Sequence, residues 1–316
     1  MFMIVTSRRL RQLTAAGLQA LALASAAAAP SAAHAAVLPA SAITAAAKEA
    51  ETALREEAFP SALERSVQSW IRTLSAQRPF EAWKQAVPSI EALGPGTHGW
   101  LVTLRQSDSR PVGYIVVYAA EDGSYRLGEY GLGPQPLFDK AALTRSLVAN
   151  GFIASHASPY RAEKLYAHPF AAVWRVTIGN DVYWLDAKTD ELLPLDDQAW
   201  NKVLRSSRQP ASDAADSGTV RAVRLNEPFD PYDRLPWLMN EAPVGAGAGG
   251  EVLLRRIKQA KSLRFVSEPF GDRMLYALAV VGYQSWSCGR LDLALDMQGT
   301  RFIPLDSLRA AGLFYR

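Results

Sequence analysis

The sequence predicts an α+β protein, with N-terminal helices followed by two related modules, each an antiparallel sheet with a helix. Three observations carry that prediction. An apolar stripe of helical period runs through residues 63–74, and β-branched and aromatic runs separated by glycine turns dominate from residue 100 onward. Residues 166–196 also match residues 276–306 without a gap. The expected organisation is a signal peptide over 1–35, a helical segment over 36–95 and a first α+β module over 96–205. A linker and extended Pro/Gly-rich segment follow over 206–250, then a second module over 251–316.

The first 35 residues read as a targeting segment. Arg8, Arg9 and Arg11 form a positive n-region, Leu13 to Ala29 an Ala/Leu-rich apolar stretch, and Ala33-His34-Ala35 a small-residue cleavage site. The mature chain is expected to start near Ala36 and to be secreted or held at the cell surface. No later stretch approaches about 18 uninterrupted apolar residues, so no membrane span is expected in it. The full chain has 34 Lys+Arg against 31 Asp+Glu, and the three arginines of the n-region are the whole excess. The mature chain is formally neutral, which argues against nucleic acid as a partner. Cys288 is the one cysteine, so no internal disulfide can form. About 280 mature residues are enough to bury a core without one.

Each element has its own signal. Leu63, Val67, Trp70, Ile71 and Leu74 share one helical face, with Ser61 and Glu64 placed as a capping box. A second short helix is expected around residues 80–86. Strands follow at WLVTL (100–104), GYIVVYAA (113–120) and SYRLGEYG (124–131). Asp139 to Asn150 reads as a helix stopped by Gly151. KLYAHP (164–169), AVWRVTIG (172–179) and DVYWLDA (181–187) read as strands, with a tight turn at Gly179-Asn180-Asp181. A helix in DQAWNKVLR is expected to be capped by Asp196-Asp197. SSRQPASDAADSG (206–218) has linker composition, and the Pro-rich segment after it is expected to run extended over a neighbouring surface. GAGAGG (245–250) reads as a joint, residues 253–260 as a helix, and residues 273–286 and 290–297 as strands.

The repeat decides how the charged stretch WLDAKTDELLPLD (184–196) is read. Shifting by 110 aligns Tyr166 with Tyr276, Gly179 with Gly289, Leu185-Asp186 with Leu295-Asp296, and Pro194-Leu195-Asp196 with Pro304-Leu305-Asp306. Eight of 31 positions are identical, mostly at turns and strand ends, where backbone geometry restricts residue choice. The charged middle is absent from the second copy, so Asp186, Asp190 and Glu191 read as a turn and not as a metal site.

A helix over 139–150 followed by YAHPFAAVWRVTIGNDVYWLDAKTDELLPL (166–195) resembles the PepSY-type domains of secreted protease propeptides and cell-surface proteins. In that family a helix and hairpin lead to a closing strand that runs into an Asp-Ala-x-Thr-Gly-Glu turn. WLDAKTDELLP matches this turn except that Asp190 stands where the family prefers glycine. The resemblance implies cystatin-like α+β units with a binding or protease-inhibiting role and no catalytic residues.

The chemistry-bearing residues form no catalytic motif. A Cys-His hydrolase using Cys288 would need one of His98, His156 or His168 brought to it. The repeat places Cys288 opposite Ile178, before a hairpin glycine, where a small buried thiol is expected. The glycines of 245–250 have G-x-G-x-x-G spacing, but no strand precedes them, so a hinge is the better reading. No metal or cofactor motif is present. Trp174, Tyr183 and Trp184 lie on one hairpin, and the adjacent Tyr183 and Trp184 must point to opposite faces. These three are the candidate binding residues, with core packing as the competing account. The expected function is an exported, non-enzymatic protein that binds a protein or peptide, with a protease as the partner the resemblance implies. The alternatives are a structural part of the cell envelope and a cysteine hydrolase.

Overall fold

The computed structural model describes residues 61–207, 218–244 and 250–316. The expected signal peptide (1–35), the helical start before residue 61, most of the 206–218 linker and most of 245–250 lie outside them. Helix α1 (Ala62–Ser75) begins at the expected box. Ser61 Oγ accepts from the Glu64 N–H at 3.2 Å, and the Glu64 carboxylate accepts from the Ser61 N–H at 2.6 Å. A 3₁₀ segment (Arg78–Gln85) follows and buries Phe80 and Trp83.

The next residues depart from the helical expectation. Val87–Ala92 is strand β1, paired to β2 (Gly99–Arg105). Its sequence VPSIEA lacks strand alternation of any strength, and Pro88 suits the sheet edge it occupies. Strands β3 (Pro111–Ala119) and β4 (Tyr125–Leu132) complete an antiparallel meander. Helix α2 (Lys140–Ala149) is capped by Asp139, which accepts from the N–H groups of Ala141 and Ala142. Strands β5 (Arg161–His168), β6 (Ala171–Ile178) and β7 (Asp181–Asp186) form a separate three-stranded sheet, and helix α3 (Asp197–Ser206) follows.

After residue 218 the structure holds more strands than the sequence suggested. These are β8 (Val220–Leu225), β9 (Arg264–Ser267), β10 (Pro269–Asp272), β11 (Tyr276–Trp286), β12 (Leu291–Asp296), β13 (Thr300–Pro304) and β14 (Gly312–Tyr315). Helices α4 (Gly250–Lys258) and α5 (Leu305–Ala311) accompany them. Strands of four or five residues give too few alternations to read from sequence. The segment after β8 does lie on a neighbouring surface, but in turns. Buried Arg264 donates to the Pro231 carbonyl at 2.9 Å and pairs with Asp233, while Trp237 stacks edge-on against Tyr315.

The large sheet has ten antiparallel strands, in the order β1-β2-β3-β4-β13-β12-β11-β9-β14, with β8 also on β11. Its seam is β4 with β13, where Gly131 pairs with Arg301 and Tyr130 with Phe302. Residues 96–205 and 251–316 therefore share one sheet. They also share cores: the cluster on α3 and α4 joins Phe170, Trp184 and Trp200 to Phe265, Leu293 and Phe314. A second cluster packs α1 and the 3₁₀ segment on one face of the sheet, and a third packs α2 and the small sheet against β2 and β3. Among the described residues no helix is long and apolar enough to cross a membrane.

The repeat survives as an order of elements. Gly179 and Gly289 both sit in hairpin turns at positive φ, 59° and 90°, where glycine is favoured. β7 and β12 coincide under the shift, and in both copies Pro-Leu-Asp runs into a helix. The registers differ. The first hairpin closes at Ile178 opposite Asp181, the second at Ser285 opposite Leu291, and the counterpart of β13 is a single bridge between Leu185 and Leu192.

Candidate binding groove

A groove of about 570 Å³ opens between α3 and the connection of the β9–β11 hairpin, which carries β10. The volume lies in the range of small-ligand and peptide sites. Lys202 and Arg205 line the α3 side, Glu268 and Asp272 line the hairpin side, and Val203 and Phe270 supply apolar floor. Among the described residues, none of these four charged side chains has a hydrogen-bond or ion-pair partner. Two cations therefore face two carboxylates across open space.

The walls are held apart by packing that begins in the small sheet. Trp184 is buried, with its ring 6.0 Å from and tilted against that of Trp200, an inward residue of α3. Arg175 Nε donates to Asp197 at 3.0 Å, on the first turn of the same helix. Asp196 caps α3 by accepting the Ala199 N–H at 2.7 Å, which holds its carboxyl below the ordinary range, and Arg273 adds to that effect. Arg273 also donates to the Pro194 carbonyl at 3.2 Å, so it ties the hairpin to the start of α3. Trp200 and Val203 point into the core, which leaves Gln198, Lys202 and Arg205 as the outward stripe at i, i+4 and i+7.

A buried polar network fixes the two sheets beneath this groove. Arg301 on β13 pairs with Glu129 on β4 at 2.6 Å and donates to the Pro169 carbonyl of the β5–β6 turn at 2.7 Å. Asp186, at the end of β7, accepts from Tyr276 Oη on β11 at 2.7 Å and from the N–H groups of Lys188 and Thr189. Asp186 thus closes its own turn through two backbone N–H groups and braces β7 to β11 through a tyrosine hydroxyl. Lys188 reaches the Gln135 carbonyl, and burial first, then Arg301, bring its pKa down to about 8. Asp190 sits in the same turn at φ 57°, and burial with the nearby Asp139 and Asp186 raises its carboxyl to about 7. On the far side, Asp292 accepts from Tyr130, Trp286 and Arg290.

The aromatic residues chosen from sequence do not form a common face. Trp174 and Trp184 are each 3% exposed and lie in different cores. Trp174 pairs across the ladder with Leu185, Arg175 with Trp184, and Val176 with Tyr183. Tyr183 is half-buried with its ring 4.6 Å from that of Phe152. Trp184 nevertheless matters to the groove, because it seats α3. Cys288 departs from the buried position expected of it. The last paired residues enclose two residues in the β6–β7 turn and five in the β11–β12 turn, and the thiol is exposed in the longer one. His168 is half-buried, with Nδ1 accepting the Phe170 N–H at 3.3 Å, and burial lowers its pKa to about 4.

The four charged groove residues carry no motif. Lys202 and Arg205 read simply as the solvated face of a helix, and nothing in the sequence ties that face to Glu268 and Asp272. The juxtaposition comes from the β5–β7 sheet and the β9–β11 strands sharing a core. Comparison of the chain with protein-family models, with curated proteins and with solved structures finds no match in any of the three.

Proposed function

We propose that the chain is an exported, non-enzymatic protein that binds a protein or peptide partner outside the cell, with propeptide-like protease inhibition as the form of that role. The groove between α3 and the connection of the β9–β11 hairpin carries the reading. It offers charged groups that make no pairs among the described residues, on walls held by a buried aromatic contact and a hydrogen bond from Arg273. Preorganised walls of this kind lower the ordering cost of binding. The order of helix, three antiparallel strands and aspartate turn over residues 140–190 supports the inhibitor-like form, as does the basic and apolar start of the sequence for export.

The test is selection from a random peptide library on immobilised mature protein, repeated on the Lys202→Glu/Arg205→Glu variant. Enrichment on the wild type that disappears on the variant is the expected outcome. Equal enrichment on both, or none on either, would remove the groove as the binding site.

A further inference from the structure

We infer that the groove selects a dipolar peptide segment, one whose acidic side chain meets Lys202 and Arg205 while a basic side chain meets Glu268 and Asp272. This rests on the groove being the peptide site proposed above. The ground for it is the separation of charge by wall. Among the described residues, the free cations of the two walls sit on α3 and the free carboxylates sit on the hairpin, and neither pair is neutralised by the other. Arg273, the remaining cation of the lining, is already committed to Pro194 and Asp196.

A ligand with one sign of charge would gain from one wall and be repelled by the other. An acidic peptide would lie against Glu268 and Asp272, and a basic one against Lys202 and Arg205. Only a ligand carrying both signs, in the matching order across the groove, is attracted by both walls. Electrostatic complementarity of this sort discriminates between partners more than it adds affinity. The apolar floor of Val203 and Phe270 favours a chain with aliphatic stems over compact free ions, since long side chains lay their methylenes on such surface. A peptide segment supplies both features, so it is the source preferred over a free dipolar metabolite.

The experiment uses the mature chain and four blocked octapeptides: two Asp at one end with two Lys at the other, four Asp, four Lys, and uncharged. Titration is followed by fluorescence polarisation at low salt. The mixed peptide should bind best, with affinity falling as salt rises toward 0.5 M. Reversing one wall, by Lys202→Glu/Arg205→Glu or by Glu268→Lys/Asp272→Lys, should weaken it about tenfold, since two exposed contacts turn from attractive to repulsive. Reversing both walls together should restore binding to within about threefold, because the dipole is inverted but intact. That recovery separates charge recognition from damage to the fold. Preference for the all-Asp or all-Lys peptide would overturn the dipolar inference while leaving peptide binding in place. Equal competition by free aspartate and lysine would overturn the choice of a peptide source. No binding by any charged peptide would overturn both this inference and the groove as a peptide site.

Discussion

Arg301 Nη2 lies 2.6 Å from Glu129 Oε2, and both side chains are all but excluded from water. Each is charged in a place where an isolated charge would be costly. Burial pushes the Glu129 carboxyl up, and Arg301 opposes that shift. The pair spans the seam where the early meander meets the C-terminal strands, and Arg301 also reaches the small sheet through Pro169. It is therefore the point at which three parts of the fold are fixed to one another.

Removing one partner should expose the cost of the other. Glu129→Gln and Arg301→Met are each expected to destabilise the chain by about 3–5 kcal/mol in urea unfolding. The double variant Glu129→Leu/Arg301→Met should recover much of that loss, because two apolar side chains leave no orphaned charge. A double variant no more stable than the single ones would show that the pair acts through something other than mutual neutralisation.

The fold class was legible because local and tertiary demands agree over the long elements. The stripe from Leu63 to Leu74 and the Ser61–Glu64 box are local facts, and α1 obeys them. The turn glycines Gly179 and Gly289 are equally local. Strand β1 was misread because Pro88 and Glu91 are acceptable only at an edge, and whether a strand is an edge is a property of the whole sheet. Alternation alone could not choose between binding and core packing for Trp174, Tyr183 and Trp184, because it does not show that the small sheet buries its two faces against different layers. The groove was out of reach altogether. Lys202 and Asp272 line one groove because Trp184, Trp200 and Phe265 share a core.

Asp190 should be a site of stored destabilisation at neutral pH. Its backbone is left-handed at φ 57°, and burial with Asp139 and Asp186 raises its pKa from 3.8 to about 7. Folding therefore favours the protonated form, and the penalty on the charged form is full above about pH 7 and gone below about pH 4. Asp190→Asn keeps a residue that tolerates this backbone while removing the charge. It should stabilise the chain by about 1 kcal/mol at pH 8, a figure discounted because water reaches this turn. The gain should vanish by pH 4 in chemical denaturation. A gain independent of pH would point to the backbone and not the charge.

His168 should act in the opposite sense. Its folded pKa is depressed to about 4 by burial, and its Nδ1 accepts a backbone hydrogen bond that only an unprotonated nitrogen can accept. The unfolded chain takes up the proton near pH 6.5, the folded chain only near 4, so stability falls as pH drops through that window. Between pH 7 and 4 the wild type should lose about 2–3 kcal/mol more than His168→Gln, read from urea midpoints at each pH. Parallel curves for the two proteins would mean that the imidazole stays accessible to water.

Gly282 marks the place where the long strand β11 changes neighbours. Tyr276–Ala279 pairs with β9, Gly282–Trp286 pairs with β8, and the ladder to β12 shifts between Val280 and Gly282. The backbone of β8 comes so close there that a Cβ on residue 282 would lie 2.1 Å from the Arg224 carbonyl oxygen and 2.9 Å from Leu225 Cδ2. The first of these is main chain held in a ladder, and it cannot rotate away as a side chain could. Asn226 N–H, bonded at 2.6 Å to the Val281 carbonyl, pins the next residue as well. In the first copy of the repeat the aligned residue is Ala172, paired with Tyr166. Gly282→Ala should therefore cost about 2–3 kcal/mol as β8 is pushed off. The loss should appear as faster amide exchange across Val220–Leu225 while β12 stays protected. If the variant unfolds at the wild-type urea midpoint with β8 still protected, the contact is looser than 2.1 Å implies, and β11 does not need glycine to change partners.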